Sequence, residues 1–102
     1  MSDRVIREDE IELSVVAWAE DNGWLARKMQ YIGRAGCPDH IFVGYGRTIW
    51  IEFKKPDEEP DPKQAREHRR FRAAGVTVFV IDNVRDGVDV LLRAMGQVVE
   101  RR

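Results

Sequence analysis

The sequence predicts an α/β (α+β) fold: a mixed central sheet of about four strands flanked by helices, in the order α-β-β-β-α-β-α. Three observations carry this expectation. An amphipathic helical stretch opens the chain. Two short β-rich runs joined by Gly44-Tyr45-Gly46-Arg47 form a hairpin. A basic helical stretch then leads into an apolar, β-branched run over 76–81.

Taken in order, residues 8–22 place Ile11, Val15, Trp18 and Ala19 at helical spacing, and Gly23 stands where a glycine would end that helix. Residues 24–31 mix apolar and basic side chains as a first strand, and 33–38 form a glycine-bearing connection. Strands over 40–43 and 48–53 flank the turn. Residues 56–62 hold three prolines and four acidic residues and read as a loop. Asp61 as N-cap, Pro62 as first helical residue and Gly75 as stop give a helix over 62–74. The 76–81 run predicts a strand buried on both faces. Residues 86–100 predict a last helix with Val88, Leu91, Leu92, Met95 and Val99 on its packed face.

With 102 residues, 43% apolar and 34% charged, a single packed domain spanning 1–102 is expected. The net charge of −1 singles out no partner class. Cys37 is the one cysteine, which excludes an internal disulfide and suits a reducing cytosol. The charged opening has no apolar run of the kind a secretory signal needs, and no stretch is long enough to cross a membrane, so a cytoplasmic protein without a membrane partner is expected.

The hairpin carries the chemistry. By period two, Ile49, Ile51 and Phe53 share one face of its second strand, and Trp50, Glu52 and Lys54 the other. If Gly44 pairs with Arg47, Asp39 falls opposite Glu52, with Cβ atoms roughly 4.5–5.5 Å apart. A bulge or a different loop would separate them. Two carboxylates that close need either a shared proton or a hard divalent cation, which takes oxygen ligands. Lys54 on the same face favours ionised carboxylates and therefore the cation.

This set, Gly36-Cys37-Pro38-Asp39, then Glu52-Phe53-Lys54, then Gln64 on the next helix, resembles the PD-(D/E)xK nuclease superfamily. More narrowly it resembles the virus-type replication-repair nuclease (VRR-NUC) domain in the stand-alone form found in phages and bacteria. The likeness runs from Glu8 to about Asp82. It implies a restriction-endonuclease-like core and a Mg²⁺-dependent endonuclease (with Mn²⁺ able to substitute) that cuts DNA and leaves a 5′-phosphate. Asp39 and Glu52 would hold the metal together with the backbone carbonyl of Phe53, and Lys54 would position or help deprotonate the attacking water. A glutamate of the first helix would join them: Glu12 by its distance from Gly23, as in related junction resolvases, or Glu8 one turn earlier. Gln64 would orient the lysine or the scissile phosphate. The resemblance also implies a homodimer acting on four-way or other branched DNA, like Holliday-junction resolvases, in a prokaryotic or phage-infected cell. A flap or restriction-type nuclease, and a catalytically silent DNA-binding module of the same fold, are the alternatives.

Local charge fits a nucleic-acid partner better than the total does. Lys63, Arg66, Arg69, Arg70 and Arg72 face a single acid, Glu67, within one short helix, and Lys28 and Arg34 lie near Asp39 in sequence. Arg34, Lys28, Lys63, Arg66, Arg69 and Arg70 are the candidate DNA contacts. Plainer readings stand beside these. Glu52 and Lys54 could be a solvated ion pair, Asp61 and Gln64 fit a capping box, and Glu12 could be an ordinary surface residue. Asp39 could cap a turn, and the arginine-rich helix could be a solvated face. His40 and His68 are expected to be structural or DNA-facing, Cys37 a small filler, and the tryptophans core or interface.

Overall fold

A computed structural model describes residues 5–100, with side chains as far as residue 96. Its elements are α1 (Glu8–Asp21), β1 (Leu25–Lys28), β2 (His40–Gly44), β3 (Arg47–Phe53), α2 (Pro62–Ala73), β4 (Val78–Ile81) and α3 (Val84–Glu100), in the expected order. The strands form one mixed sheet, β1-β2-β3-β4, antiparallel as far as β3 and parallel between β3 and β4. The parallel step requires a crossover, which α2 supplies.

The hairpin register is set at its turn. Tyr45 (φ 55°) and Gly46 (φ 72°) both lie in the left-handed region, as two-residue turns matching the strand twist demand. A side chain at such a φ costs about 1–2 kcal/mol. Tyr45 offsets that cost by packing on Trp24, ring centroids 5.1 Å apart, and by donating its hydroxyl to the Asn22 carbonyl. The resulting pairs run from Gly44 with Arg47 to His40 with Ile51, the register counted from the sequence.

That register sorts side chains onto two faces. Phe42, Ile51 and Phe53 are fully buried in one core with Ile11, Val15 and Ala19 of α1 and Leu91 and Ala94 of α3. The other face of β3 meets α2, where Trp50 packs edge-on against Phe71 at 5.2 Å. Trp24 is in the core, and Trp18 and Trp50 are half-buried.

The structure corrects several boundaries. The 76–81 run is not a strand buried on both faces. Strand β4 begins at Val78 and is the sheet edge, and Val76 and Val80 are 38% and 41% exposed. A β-branched run satisfies an edge with one packed face as well as a central position. Strand β1 is shorter than 24–31, because after Met29 donates to the Asp39 carbonyl at 2.7 Å no further strand pairing follows. Helix α3 starts at Val84, where Asn83 caps it: its Oδ1 accepts from the Asp86 amide at 2.8 Å, and its Nδ2 donates to Asp86 Oδ2 at 2.9 Å. Its buried stripe is Gly87, Leu91 and Ala94, and Leu92 is 48% exposed. The side chain of Val99 lies outside the described residues, as do residues 1–4.

Gly87 packs directly against Val15 of α1 and Ile81 of β4. A Cβ there would lie 2.7 Å from Val15 Cγ2 and 3.3 Å from Ile81 Cγ2, both on stiff β-branched side chains of the core. Gly96, on the same helix, has nothing within 4 Å of the corresponding position. Gly87→Ala should therefore destabilise the protein by about 1–3 kcal/mol through overpacking. Gly96→Ala should stabilise it by up to about 1 kcal/mol through helix propensity. Urea denaturation of the two variants checks the opposite signs.

Candidate active site

Asp39 directly precedes β2, and the next step of the hairpin register faces it to Glu52. Its Oδ2 accepts the Phe53 amide at 2.8 Å and its carbonyl accepts from Met29, so both ends of the residue are fixed. Glu52 is 1% exposed, although its neighbours on the opposite face form the apolar core. Its carboxyl is pushed up to about 9, by burial first and then by the charge of Asp39 beside it, with Lys54 pulling the other way. Lys54 follows where β3 ends, its amide bonded to the Ile81 carbonyl at 2.9 Å and its side chain half-buried.

Helix α2 closes over this pair. Gln64 Nε2 donates to Glu52 Oε2 at 3.2 Å. The same side chain completes a capping box, its Oε1 accepting from the Asp61 amide at 2.9 Å while Asp61 Oδ1 accepts from the Gln64 amide at 2.9 Å. Gln64 thus completes the cap through one end of its amide and reaches Glu52, not Lys54, through the other. One turn on, His68 Nε2 lies 3.4 Å from Glu52 Oε1. Burial lowers His68, whose ring nitrogen lies within hydrogen-bonding distance of the carboxyl. His68 is buried, so it does not face DNA, and sequence reasoning missed its link to Glu52. The signal was present, since it stands four residues after Gln64 on one helical stripe.

Glu12 is held elsewhere. Its carboxylate accepts from Lys28 Nζ at 2.9 and 3.2 Å and lies 3.5 Å from Nδ1 of the buried His40. Burial lowers His40, and its Nδ1 makes no hydrogen bond. The reason is parity. His40 pairs with Ile51 and so lies on the core face, whereas Asp39 and Glu52 belong to the face under α2. Glu8, one turn earlier, is the helix glutamate coupled to the site: burial and then the charge of Asp39 raise it, and Lys54 lowers it. Cys37 is half-buried and its Sγ donates to the Pro38 carbonyl at 3.4 Å, in keeping with a filler.

Of the candidate DNA contacts, Lys28 is engaged by Glu12. Arg34, Lys63, Arg66 and Arg70 line one shallow depression with Ala35, and Arg69 joins Arg66 and Arg70 at a second. The loop bearing Arg34 is tied to α2 through Glu67, which accepts the Tyr31 hydroxyl. Among the described residues no group of three or more His, Cys, Asp and Glu side chains converges as a metal cluster. Asp39 and Glu52 form a pair of hard oxygen donors, with the backbone of Phe53 adjoining.

A hairpin that brings an aspartate and a buried glutamate together, a lysine two residues on, and a crossover helix over them are the layout of a PD-(D/E)xK nuclease. The comparisons narrow this. No family model matches the sequence. The chain is 42% identical over 81 residues to "Putative nuclease p44" of Acyrthosiphon pisum secondary endosymbiont phage 1, covering 78% of this chain and 87% of that protein. A solved structure described as a VRR_NUC domain superposes with a TM-score of 0.75 at 36% identity, over 84% of this chain and 94% of the other. A second, described as a VRR_NUC domain protein, gives 0.74 over 91% of each chain at 18% identity, a likeness of fold alone. The chain belongs to the VRR-NUC family. No helix among the described residues is long and apolar enough to cross a membrane.

The Tyr31–Glu67 bond has a pH signature. Tyr31, and then Arg70, hold Glu67 below the ordinary carboxylate range. A depressed carboxylate stabilises the fold above its unfolded pKa, about 4.3, and that stabilisation is lost as pH falls through the lower folded value. Tyr31→Phe should therefore cost about 1.5–3 kcal/mol at pH 7, the worth of a hydrogen bond to a charged group. The gap to wild type should close as the pH is taken below about 4. Thermal melts of both proteins across that range measure it.

Proposed function

We propose that the chain is a Mg²⁺-dependent endonuclease that hydrolyses DNA phosphodiester bonds, leaves a 5′-phosphate, and acts as a homodimer on branched DNA such as four-way junctions. The observation that carries the reading is the buried Glu52 carboxyl set against Asp39 and held by Gln64 and His68. Burying an acid beside another acid costs several kcal/mol unless a proton or a cation neutralises it. It serves no purpose in an ordinary sheet.

The residues present fit a hard divalent cation. Two carboxylates and an adjoining backbone carbonyl offer oxygen only, which suits Mg²⁺, with Mn²⁺ able to replace it. Asp39, Glu52 and the Phe53 carbonyl would hold the ion, and Glu8, which feels the charge of Asp39, would be the helix carboxylate to join them. When bound, it supplies a Lewis acid for the phosphate and lowers the pKa of water. The protein's own groups do the rest. Gln64 and His68 hold the Glu52 carboxyl from the side of α2, one at each of its oxygens. Lys54 stands on the Glu52 face, where its ammonium orients the attacking water and stabilises the charge growing on the phosphate. The basic depression beside α2 takes the DNA backbone.

Symmetry supports the homodimer reading, since two equivalent sites would match the two-fold axis of a four-way junction. The phage origin of the relative fits a place in the cytoplasm of a prokaryotic or phage-infected cell.

Asp39→Asn and Lys54→Ala should each lower cleavage by about 10²-fold or more, with DNA binding in Ca²⁺ retained. EDTA should abolish cleavage and Mg²⁺ restore it. Unchanged cutting by either variant would refute the assignment, and binding without any cutting by wild type would leave a silent DNA-binding module. Light scattering should give the mass of a dimer, and a synthetic four-way junction should be cut in preference to a flap. A monomer that prefers the flap overturns the junction reading and spares the nuclease.

A further inference from the structure

Glu67 is an anion in the middle of a basic surface. It is 7% exposed, accepts the Tyr31 hydroxyl and accepts from Arg70 Nη1 at 3.2 Å. Arg34 Nη2 lies 3.5 Å away. Both arginine side chains remain largely exposed, at 58% and 60%. A guanidinium has five N–H donors in a rigid fork, so one contact to Glu67 leaves most of them for another acceptor. Arg34 is further steadied over the Tyr31 ring, 5.8 Å from its centroid. Between the two arginines lies a depression of about 340 Å³ lined also by Ala35, Lys63 and Arg66. One carboxylate cannot neutralise the four cations there, so the depression keeps a positive field with room for a phosphate.

Its place relative to the carboxylate pair is fixed by α2 and by the loop. Gln64, which reaches Glu52, precedes Glu67 and Arg70 by one and two turns, about 5 and 9 Å along the axis. That is a span of one or two nucleotides. The loop is pressed on the same turn of helix: a Cβ on Gly36 would lie 3.0 Å from the Lys63 carbonyl and 3.2 Å from Glu67 Cβ. The chain runs from there straight into Asp39.

We propose that Glu67 is a positioning residue, which holds Arg34 and Arg70 as a clamp for one backbone phosphate of the DNA strand next to the bond that is cut. The proposal rests on the nuclease reading. It gives Glu67 an effect opposite in sign to its charge. Simple electrostatics makes Glu67 a repeller of DNA, so Glu67→Gln should tighten binding. A clamp that depends on Glu67 to order two arginines should instead bind more weakly without it.

The test is fluorescence anisotropy of a labelled branched duplex in Ca²⁺, which reads binding apart from cleavage. Glu67→Gln should weaken binding about tenfold, the worth of one charge-assisted hydrogen bond. The slope of log K against log salt should fall by about one phosphate. Arg34→Ala with Arg70→Ala should weaken binding further, and Glu67→Gln added to that pair should change nothing more, because the clamp is already gone. Arg34→Lys and Arg70→Lys keep the charge and lose the fork. Both should bind more weakly, and they carry the test if Glu67→Gln fails to fold. Tighter or unchanged binding by Glu67→Gln, or by the lysine variants in its place, overturns the clamp while wild-type binding leaves the nuclease reading standing. A wild type that binds no DNA overturns both.

Discussion

A two-residue turn decides which side chains of β2 and β3 stand opposite one another, and the site depends on that decision. With Tyr45 and Gly46 both at positive φ, Gly44 meets Arg47 and His40 meets Ile51. The next step of the same register faces Asp39 to Glu52. A slip of one residue would carry Glu52 into the apolar core and turn Ile51 and Phe53 towards α2. The packing of Phe42, Ile51 and Phe53 against α1 and α3 therefore enforces the arrangement of the carboxylates, though none of those residues takes part in chemistry. The contacts of Tyr45 with Trp24 and Asn22 belong to the same machinery, since they hold a strained turn at the far end of the strands.

The sheet then separates two polar networks that would otherwise compete. On the core face, Glu12 accepts from Lys28 beside the buried His40, where β1 and β2 meet α1. On the other face, Gln64 and His68 of α2 approach Glu52. Each network satisfies much of its own charge. Glu52 differs in that burial, and then the charge of a second carboxylate, Asp39, raise its proton affinity. An ordinary structural carboxylate looks like Glu67 in this chain, lowered by a tyrosine and two arginines. The contrast between these two buried glutamates separates a carboxyl that sits beside another carboxyl from one that already has cationic partners.

Much of this was legible in the sequence because it is local. Turn composition and period two gave the Asp39–Glu52 juxtaposition, and Asp61-Pro62 gave the start of α2. The rest depends on tertiary placement. Glu8 and Glu12 lie a turn apart on one helix, and only the face on which α1 crosses the sheet sends Glu12 to Lys28 and His40. The bond between Tyr31 and Glu67 joins a loop to a helix far along the chain, and no spacing rule reaches it. Edge and centre look alike in the composition of 76–81, since one packed face suffices for β-branched residues. The packed stripe of α3 includes Gly87, which packs against Val15 of α1 and has no side chain to mark it in the sequence.

A net charge of −1 does not weigh against a DNA partner once the charges are placed. Several of the acids lie where a cation would be drawn: Glu8 feels Asp39 and Glu58, and Glu52 feels Asp39 and Glu8. The cations Arg34, Lys63, Arg66 and Arg70 gather beside them on α2 and its neighbouring loop. An acidic pole alone would repel a phosphodiester, and a basic surface alone would bind it without chemistry. Set side by side, under the proposed function, the pole would concentrate a divalent ion while the surface drew the backbone across it, and at a Debye length of about 8 Å each acts mainly on what touches it. Total charge averages over this separation and so misses it, and the local signs carry the functional content.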